Sequence, residues 1–207
     1  LVLTPTLLQN RAQKLLLASG SFIRRRILES AGLSFEVETS KVDETPLKQE
    51  GRQKNWTPDE TALRLAQAKA LSVVRPDRVV IGADQILSCE AEWYDKPRDM
   101  AEARQHLCAL RGKTHILHTA AVLCRNGEVL WRHVARPRLT MRAFSDTFMD
   151  RYLAVEKEAC LGSVGAYRLE GPGIQLFAHI EGDAFAIQGL PLLPLIAALR
   201  DMKVLPD

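Results

Sequence analysis

The chain has 207 residues, with 28 Lys+Arg against 25 Asp+Glu and a formal net charge of +3. Hydrophobic residues make up 46% and charged ones 26%, which excludes wholesale disorder; a chain this long buries about 70% of its unfolded surface and needs no disulfide or structural metal. So small a positive surplus does not imply nucleic acid as a partner.

A membrane span is not expected. The longest apolar stretch, Leu190 to Leu199, is about half a spanning helix and carries Pro191 and Pro194. The opening LVLTPTLLQN lacks the charged region and cleavage site of a signal peptide. Cys89, Cys108, Cys124 and Cys160 form no C-x-x-C pair, so reduced cytoplasmic thiols and no zinc site are expected.

Along the chain, KLLLAS (Lys14 to Ser19) fits a buried strand, and Ser21 caps a helix carrying Ile23, Ile27 and Ala31, with Gly32 at its end. Ser34 to Ser40 alternates as a strand. The polar segment Val42 to Asn55, with Pro46 and Gly51, reads as a mobile loop. Thr57-Pro58-Asp59-Glu60 combines a cap, a proline at the first helical position and an acid three residues after the cap, opening a helix to about Val73.

VVIGADQIL is an apolar strand with a polar center. Asp99 and Glu102 open a helix ending near Gly112. Lys113 to Cys124 and Glu128 to Thr140 read as two strands joined by the hairpin signal Arg125-Asn126-Gly127. Ser145 caps a helix to about Val155, Tyr167 to Ile180 suggests a Gly-interrupted hairpin, and Pro191 to Met202 a final helix. The alternation predicts an α/β protein with a mixed sheet.

Four segments can carry chemistry. Ser19-Gly20-Ser21 leads from a buried strand into a helix whose first turns hold Arg24, Arg25 and Arg26; free amides, the helix dipole and forked guanidinium donors suit a phosphate. Helical rotation of about 100° per residue keeps the three arginines from facing one ligand, so Arg24 is expected first, Arg25 second, and Arg26 in solvent. A capped helix with a basic exposed face reads equally well. Asp43 and Glu44 are either a pocket pair or a turn, and Lys69 either a ligand-facing or a solvated lysine on an Ala-rich helix.

Asp84 stands directly after Val79-Val80-Ile81-Gly82-Ala83, at the end of a buried strand. A carboxylate there is costly without a partner, a metal or a protonation role, and α/β sheets place ligands at the carboxyl ends of strands. Lys96 adds a cation, or only leads into the next helix. Glu170, among glycines, lines a pocket or an ordinary hairpin. His115 and His118 fall on opposite faces of a strand and make poor joint metal ligands.

In order, these pieces resemble the Maf family of nucleoside triphosphate pyrophosphatases: LASGS with Arg24-Arg25, VDET at Val42 to Thr45, LRLAQAKA at Leu63 to Ala70, IGADQ at Ile81 to Gln85, Lys96-Pro97, Gly165-Ala166-Tyr167, Ile180 to Asp183 and Gly189 to Leu192. The resemblance implies an elongated mixed β-sheet flanked by helices, in two lobes with a central cleft. It implies one domain over residues 1–207, with 1–13 as an extension, acting as a cytoplasmic homodimer. The implied reaction releases pyrophosphate from noncanonical or modified nucleoside triphosphates, with Mg²⁺ or Mn²⁺. Asp84 matches the general base; Ser19, Ser21, Arg24 and Arg25 match the phosphate-binding segment; and Glu44, Lys69 and Lys96 match the remaining charged pocket.

Glu44 and Asp84 offer the oxygen ligands such a cation prefers. Whether Asp84 is base, ligand or both stays open. Base preference in the family is tied to three positions, here Ile23, Gln85 and Glu170. The thymidine/uridine branch has Arg, Thr and Gln there; Gln85 and Glu170 match the 7-methyl-GTP branch, and Ile23 matches neither. Phe22 replaces the usual proline.

One competing reading is a nonenzymatic nucleotide- or nucleic-acid-binding regulator linked to cell division, motivated by Arg24 to Arg26 and the family's link to septum formation. Interleaved acids and the lack of an aromatic stacking platform weigh against it. A phosphatase acting on non-nucleotide esters is a third, separated by release of orthophosphate.

Overall fold

Three consecutive leucines, Leu15 to Leu17, are 0–1% exposed in strand β1 (Lys14–Leu17) of the computed structural model, which describes residues 8–10, 12–73 and 75–206. The expectations for residues 1–7 and 11 lie outside the described residues. The strand ends sooner than its apolar run, and Ser19 follows it, still buried. Helix α1 (Phe22–Ser30) starts at Ser21, whose hydroxyl accepts the Arg24 amide, and buries Ile27 and Leu28. Ala31 caps it, and Gly32 takes the left-handed φ of +74° just beyond. Strand β2 (Phe35–Val37) is shorter than its alternating segment.

The loop expected over Val42 to Asn55 is instead helix α2 (Glu44–Gln53). Asp43 caps it by accepting the Thr45 amide at 3.0 Å, and Pro46 sits in the first turn, where no intrahelical amide is needed. Lys48 pairs with Glu44 and Lys54 with Glu50, both at i,i+4 spacing. Gly51 is buried in the last turn of the helix, where a Cβ would lie 2.9 Å from Thr61 Oγ1. Close packing overrode propensity.

Helix α3 (Pro58–Leu71) has the expected reciprocal cap between Thr57 and Glu60. It packs against strand β3 (Arg78–Cys89) at Gly82, where a Cβ would stand 2.2 Å from the Ala66 carbonyl oxygen and 2.7 Å from Ala70 Cβ. Only glycine fits, and the contact sets the height of Lys69 beside Asp84. Gly82→Ala is therefore expected to cost about 3 kcal/mol, the upper end for overpacking, measured as a drop in urea midpoint at unchanged slope.

Further elements follow in order: β4 (Glu92–Tyr94), α4 (Met100–Leu110) capped by Asp99, β5 (Thr114–Arg125), β6 (Glu128–Ala135), β7 (Arg138–Met141), α5 (Asp146–Glu156) capped by Ser145, β8 (Phe177–Glu181), α6 (Ala184–Ile187) and α7 (Leu192–Asp201). Asn126 and Gly127, with φ of 52° and 84°, make the expected hairpin turn. The strand expected over Glu128 to Thr140 is broken into β6 and β7 at Arg136-Pro137, since proline brings no amide to the ladder. The hairpin expected over Tyr167 to Ile180 is also corrected. Short 3₁₀ turns at Val164–Ala166 and Pro172–Leu176 precede the single strand β8. Glycine and proline density there marks turns, not strands.

The chain divides into two compact units, with boundaries inside β3 and β5. The first holds Leu1–Asp84, Thr119–Ala135 and Gly189–Asp207; the second holds Gln85–His118 and Arg136–Gln188. In the first, β1 pairs in parallel with β2 and β3, and residues 119–125 pair antiparallel with β6. Parallel partners on both sides explain why β1 reads as a continuous apolar run. Its core joins Leu15, Leu17, Leu28, Ile81 and Leu123 with Leu195 and Leu199 of α7.

In the second unit, β4 pairs antiparallel with the end of β3, β7 with the start of β5, and β8 with β7. Leu107, Leu117, Leu139, Met149 and Tyr167 form its core. Pairing of both kinds makes the chain mixed α/β, as expected.

Candidate active site

Strand β1 ends alongside the middle of its parallel neighbour β3. Leu17 of β1 lies beside Ile81 of β3, and the Ala18 amide donates to the Ile81 carbonyl at 2.9 Å. The turn after β1 therefore emerges beside Ala83 and Asp84, which lie midway along β3, just past its pairing with β1, and not at the strand end expected from the sequence. Arg24, one turn into α1, ties them: Nη1 donates to Ser19 Oγ at 3.2 Å and to the Ala83 carbonyl at 2.9 Å, and Nε donates to the Gly189 carbonyl at 2.8 Å. Ser19 Oγ also accepts the Ser21 amide at 3.3 Å.

Asp84 is 5% exposed. Its Oδ1 lies 2.5 Å from Lys69 Nζ, which also reaches Glu44 Oε1 at 2.6 Å; Glu44 Oε2 takes Lys48 Nζ at 2.9 Å. The fourth carboxylate oxygen, Asp84 Oδ2, is buried with no hydrogen-bond partner. Glu44 enters because it opens α2, and Lys69 because α3 lies against Gly82.

The environment drives the two carboxylates apart. Burial pushes the Asp84 carboxyl above its ordinary range; Lys69 and Arg24 pull the other way, while Glu44 adds to the rise. Burial also acts to raise Glu44, but Lys69 and Lys48 outweigh it and hold that group at about 2. Burial lowers Arg24 from the usual arginine value, opposed by the charges of Asp84 and Glu44. A carboxylate of raised basicity beside a permanently ionised one is a pattern of acid–base chemistry.

Ser19, Ser21, Arg24, Glu44, Lys69 and Asp84 are thus gathered in the first unit. Arg25 is not brought to this group: its Nε pairs with Glu29 Oε1 at 2.7 Å along the exposed face of α1, because its position is rotated away from that of Arg24. Arg26 is exposed, as expected, and stands over the Phe22 ring. Ile23 packs, partly buried, against the core of the first unit.

Gln85, Lys96 and Glu170 belong to the second unit. Gln85 Nε2 donates to the Ala186 and Ile187 carbonyls at 3.0 and 3.1 Å, while Lys96 and Glu170 are exposed. His115 and His118 go separate ways, to Tyr167 Oη and Ser88 Oγ. All four cysteines are free.

Sequence reasoning missed three contributors. The Ala83 and Gly189 carbonyls act through backbone and leave no side-chain signature. Lys48, which buttresses Glu44, was hidden once its segment was read as a loop; its i,i+4 spacing from Glu44 was the available signal.

A mixed α/β unit thus gathers a hydroxyl-rich turn, a tethered arginine and a partly buried acid–lysine–acid bridge, donor groups of the kind that suit an anionic phosphate. The Maf-like protein family matches residues 14–202, and the chain belongs to that family. It is 52% identical over 194 residues to the nucleoside triphosphate pyrophosphatase of Granulibacter bethesdensis, covering 93% of this chain and 98% of that one. To the 7-methyl-GTP pyrophosphatase of Rhizobium meliloti it is 51% identical over 190 residues, covering 91% and 96%. To the nucleoside triphosphate pyrophosphatase of Rhodospirillum rubrum it is 48% identical over 192 residues, covering 92% and 95%. Among the described residues no helix is long and apolar enough to cross a membrane.

Proposed function

We propose that this chain hydrolyses nucleoside triphosphates between the α- and β-phosphates, releasing the monophosphate and pyrophosphate. One observation carries the reading: a buried aspartate, with one oxygen on Lys69 and the other free of protein donors, sits midway along β3, past the end of β1 and beside the tethered Arg24. Its relatives are named as enzymes of this reaction, so a nonenzymatic regulator is not favored.

A triphosphate brings about four negative charges, and its hydrolysis is catalyzed mainly by positioning and charge stabilization. Arg24 supplies fixed positive charge and Lys69 a second cation, and the α1 amides nearest Ser21 lack intrahelical acceptors. Asp84 Oδ2 orients a water and takes its proton; burial makes that oxygen basic enough for the task. Glu44, ionised throughout, holds Lys69 in place.

A divalent cation fits the donor set. Asp84 Oδ1 and Glu44 Oε1, the two oxygens bridged by Lys69, are hard donors, and among the described residues no group of three or more His, Cys, Asp and Glu forms a dedicated cage. Two carboxylates plus substrate phosphates suit Mg²⁺ or Mn²⁺. When bound, such an ion lowers the pKa of water and neutralizes developing charge on phosphate oxygens.

As to the base, Gln85 and Glu170 match the 7-methyl-GTP branch in sequence, and a carboxylate at 170 suits the N1–H and N2–H₂ donors of guanine. Free thiols suit a reducing cytoplasm. Homodimerization, implied by the family resemblance, belongs to the same proposal and is read by sedimentation.

A panel of ordinary, methylated and deaminated triphosphates, assayed for both pyrophosphate and orthophosphate, tests the function. Pyrophosphate with the highest kcat/KM on 7-methyl-GTP is expected. Orthophosphate alone overturns the reaction, and a pyrimidine optimum overturns the base.

A further inference from the structure

We propose that the Lys69 ammonium holds the place between Glu44 and Asp84 that a divalent cation would take, so that the chain alone binds such a cation weakly and the nucleotide brings it in. This rests on the reading that Glu44 and Asp84 are the cation's protein ligands.

Lys69 Nζ lies 2.6 Å from Glu44 Oε1 and 2.5 Å from Asp84 Oδ1, and its side chain is only 13% exposed. Those are hydrogen-bonding distances to both carboxylates at once, from a compact point charge on a flexible stem. A divalent ion on the same two oxygens would meet that ammonium at contact range, where repulsion between poorly solvated charges is strong. One of the two has to leave.

Neither acid of the bridge offers the lysine a second acceptor. Glu44 Oε2 is held by Lys48, and Asp84 Oδ2 is part of the same carboxylate the ion would claim. Arg24 cannot replace Lys69 between the acids, because its Nε and Nη1 are committed to Gly189, Ala83 and Ser19. A triphosphate supplies the missing acceptor. Its oxygens draw Lys69 off the carboxylates while its own bound cation settles onto them. The exchange breaks no covalent bond, and each carboxylate is faced by a cation before and after.

Lys69 is in this sense a positioning residue for the cation as well as a phosphate ligand. It makes the acid pair selective for a metal–nucleotide complex over free metal.

The test is titration of the whole chain with Mn²⁺ alone, reading unbound Mn²⁺ by its paramagnetic resonance signal. Lys69→Met is expected to bind Mn²⁺ at least about tenfold more tightly than the parent, and adding Asp84→Asn to erase the gain. Lys69→Arg, which keeps the charge, is expected to bind as weakly as the parent. Lys69→Gln serves in place of Lys69→Met should that variant not fold. Equal affinity of the parent and the neutral variants overturns the proposal.

A second measurement separates it from the reading beneath. Tight binding of Mn²⁺ by the parent alone, lost in Asp84→Asn, keeps the acid pair as ligands and refutes the role of Lys69. Should neither the neutral variants nor the parent with an α,β-methylene nucleoside triphosphate hold Mn²⁺ (the ternary complex being read by water-proton relaxation), the ligand assignment fails and the proposal with it.

Discussion

Asp84→Asn is expected to lower kcat by about a thousandfold, within the range for loss of a positioned general base, while substrate still binds. The amide keeps the shape of the side chain and can still meet Lys69, but it cannot accept a proton from water. Stability should move the other way. Burial raises the folded-state pKa of Asp84, so ionising it opposes folding, and that cost is present at pH values above the folded pKa. Replacing the charge by a neutral amide removes the cost, and the thermal midpoint at pH 7 is expected to hold or rise.

The pH profile follows from the same shift. Because the active form is the ionised one, kcat/KM falls as pH drops through the raised Asp84 value, above the range of an exposed carboxylate. Glu44, held at about 2, stays charged across that limb. An acid limb near the value of an exposed aspartate, or a fully active Asp84→Asn, contradicts the assignment.

Arg24→Ala is expected to reduce kcat/KM by about a hundredfold to a thousandfold, as loss of one fixed donor to developing charge does. It should also destabilise the first unit by about 2–3 kcal/mol, since the Ala83 and Gly189 carbonyls lose a charged donor. The first effect is read in steady-state kinetics, the second in urea unfolding. Arg24→Lys should recover little of either: one ammonium cannot span three acceptors that a planar fork reaches together. Arg25→Ala, by contrast, removes only a half-exposed pair with Glu29 and serves as the control. Equal losses in both variants are incompatible with the tethered role of Arg24.

Much of this site was legible because its residues break a local rule. Asp84 interrupts an apolar strand, and Ser19-Gly20-Ser21 ends one in hydroxyls; such breaks are where function is expected. Caps at Ser21, Thr57, Asp99 and Ser145 were legible as well, since each satisfies helix amides through a side chain in the sequence itself. Helix α2 was not. Its ten residues include a proline and a glycine, and what makes it a helix is its cap, its ion pairs and the seat of Gly51 against Thr61. The choice between Arg24 and Arg25 was half legible. Rotation separates the two, but the three acceptors that select Arg24 come from residues as distant as Gly189, and periodicity carries no trace of them.

That last contact has a consequence for the order in which the protein becomes able to work. Gly189 opens a stretch synthesised after the acids, lysines and arginines of the site, and this stretch also supplies Leu195 and Leu199 to the core that backs β1 and β3. A nascent chain that has not yet delivered this stretch already contains every acid, lysine and arginine of the site, yet leaves Arg24 without one of its three anchors. Fixing of Arg24 therefore waits until residues 189–199 dock on the rest of the first unit, and a chain released before that carries a loose arginine where the folded one carries a fixed charge.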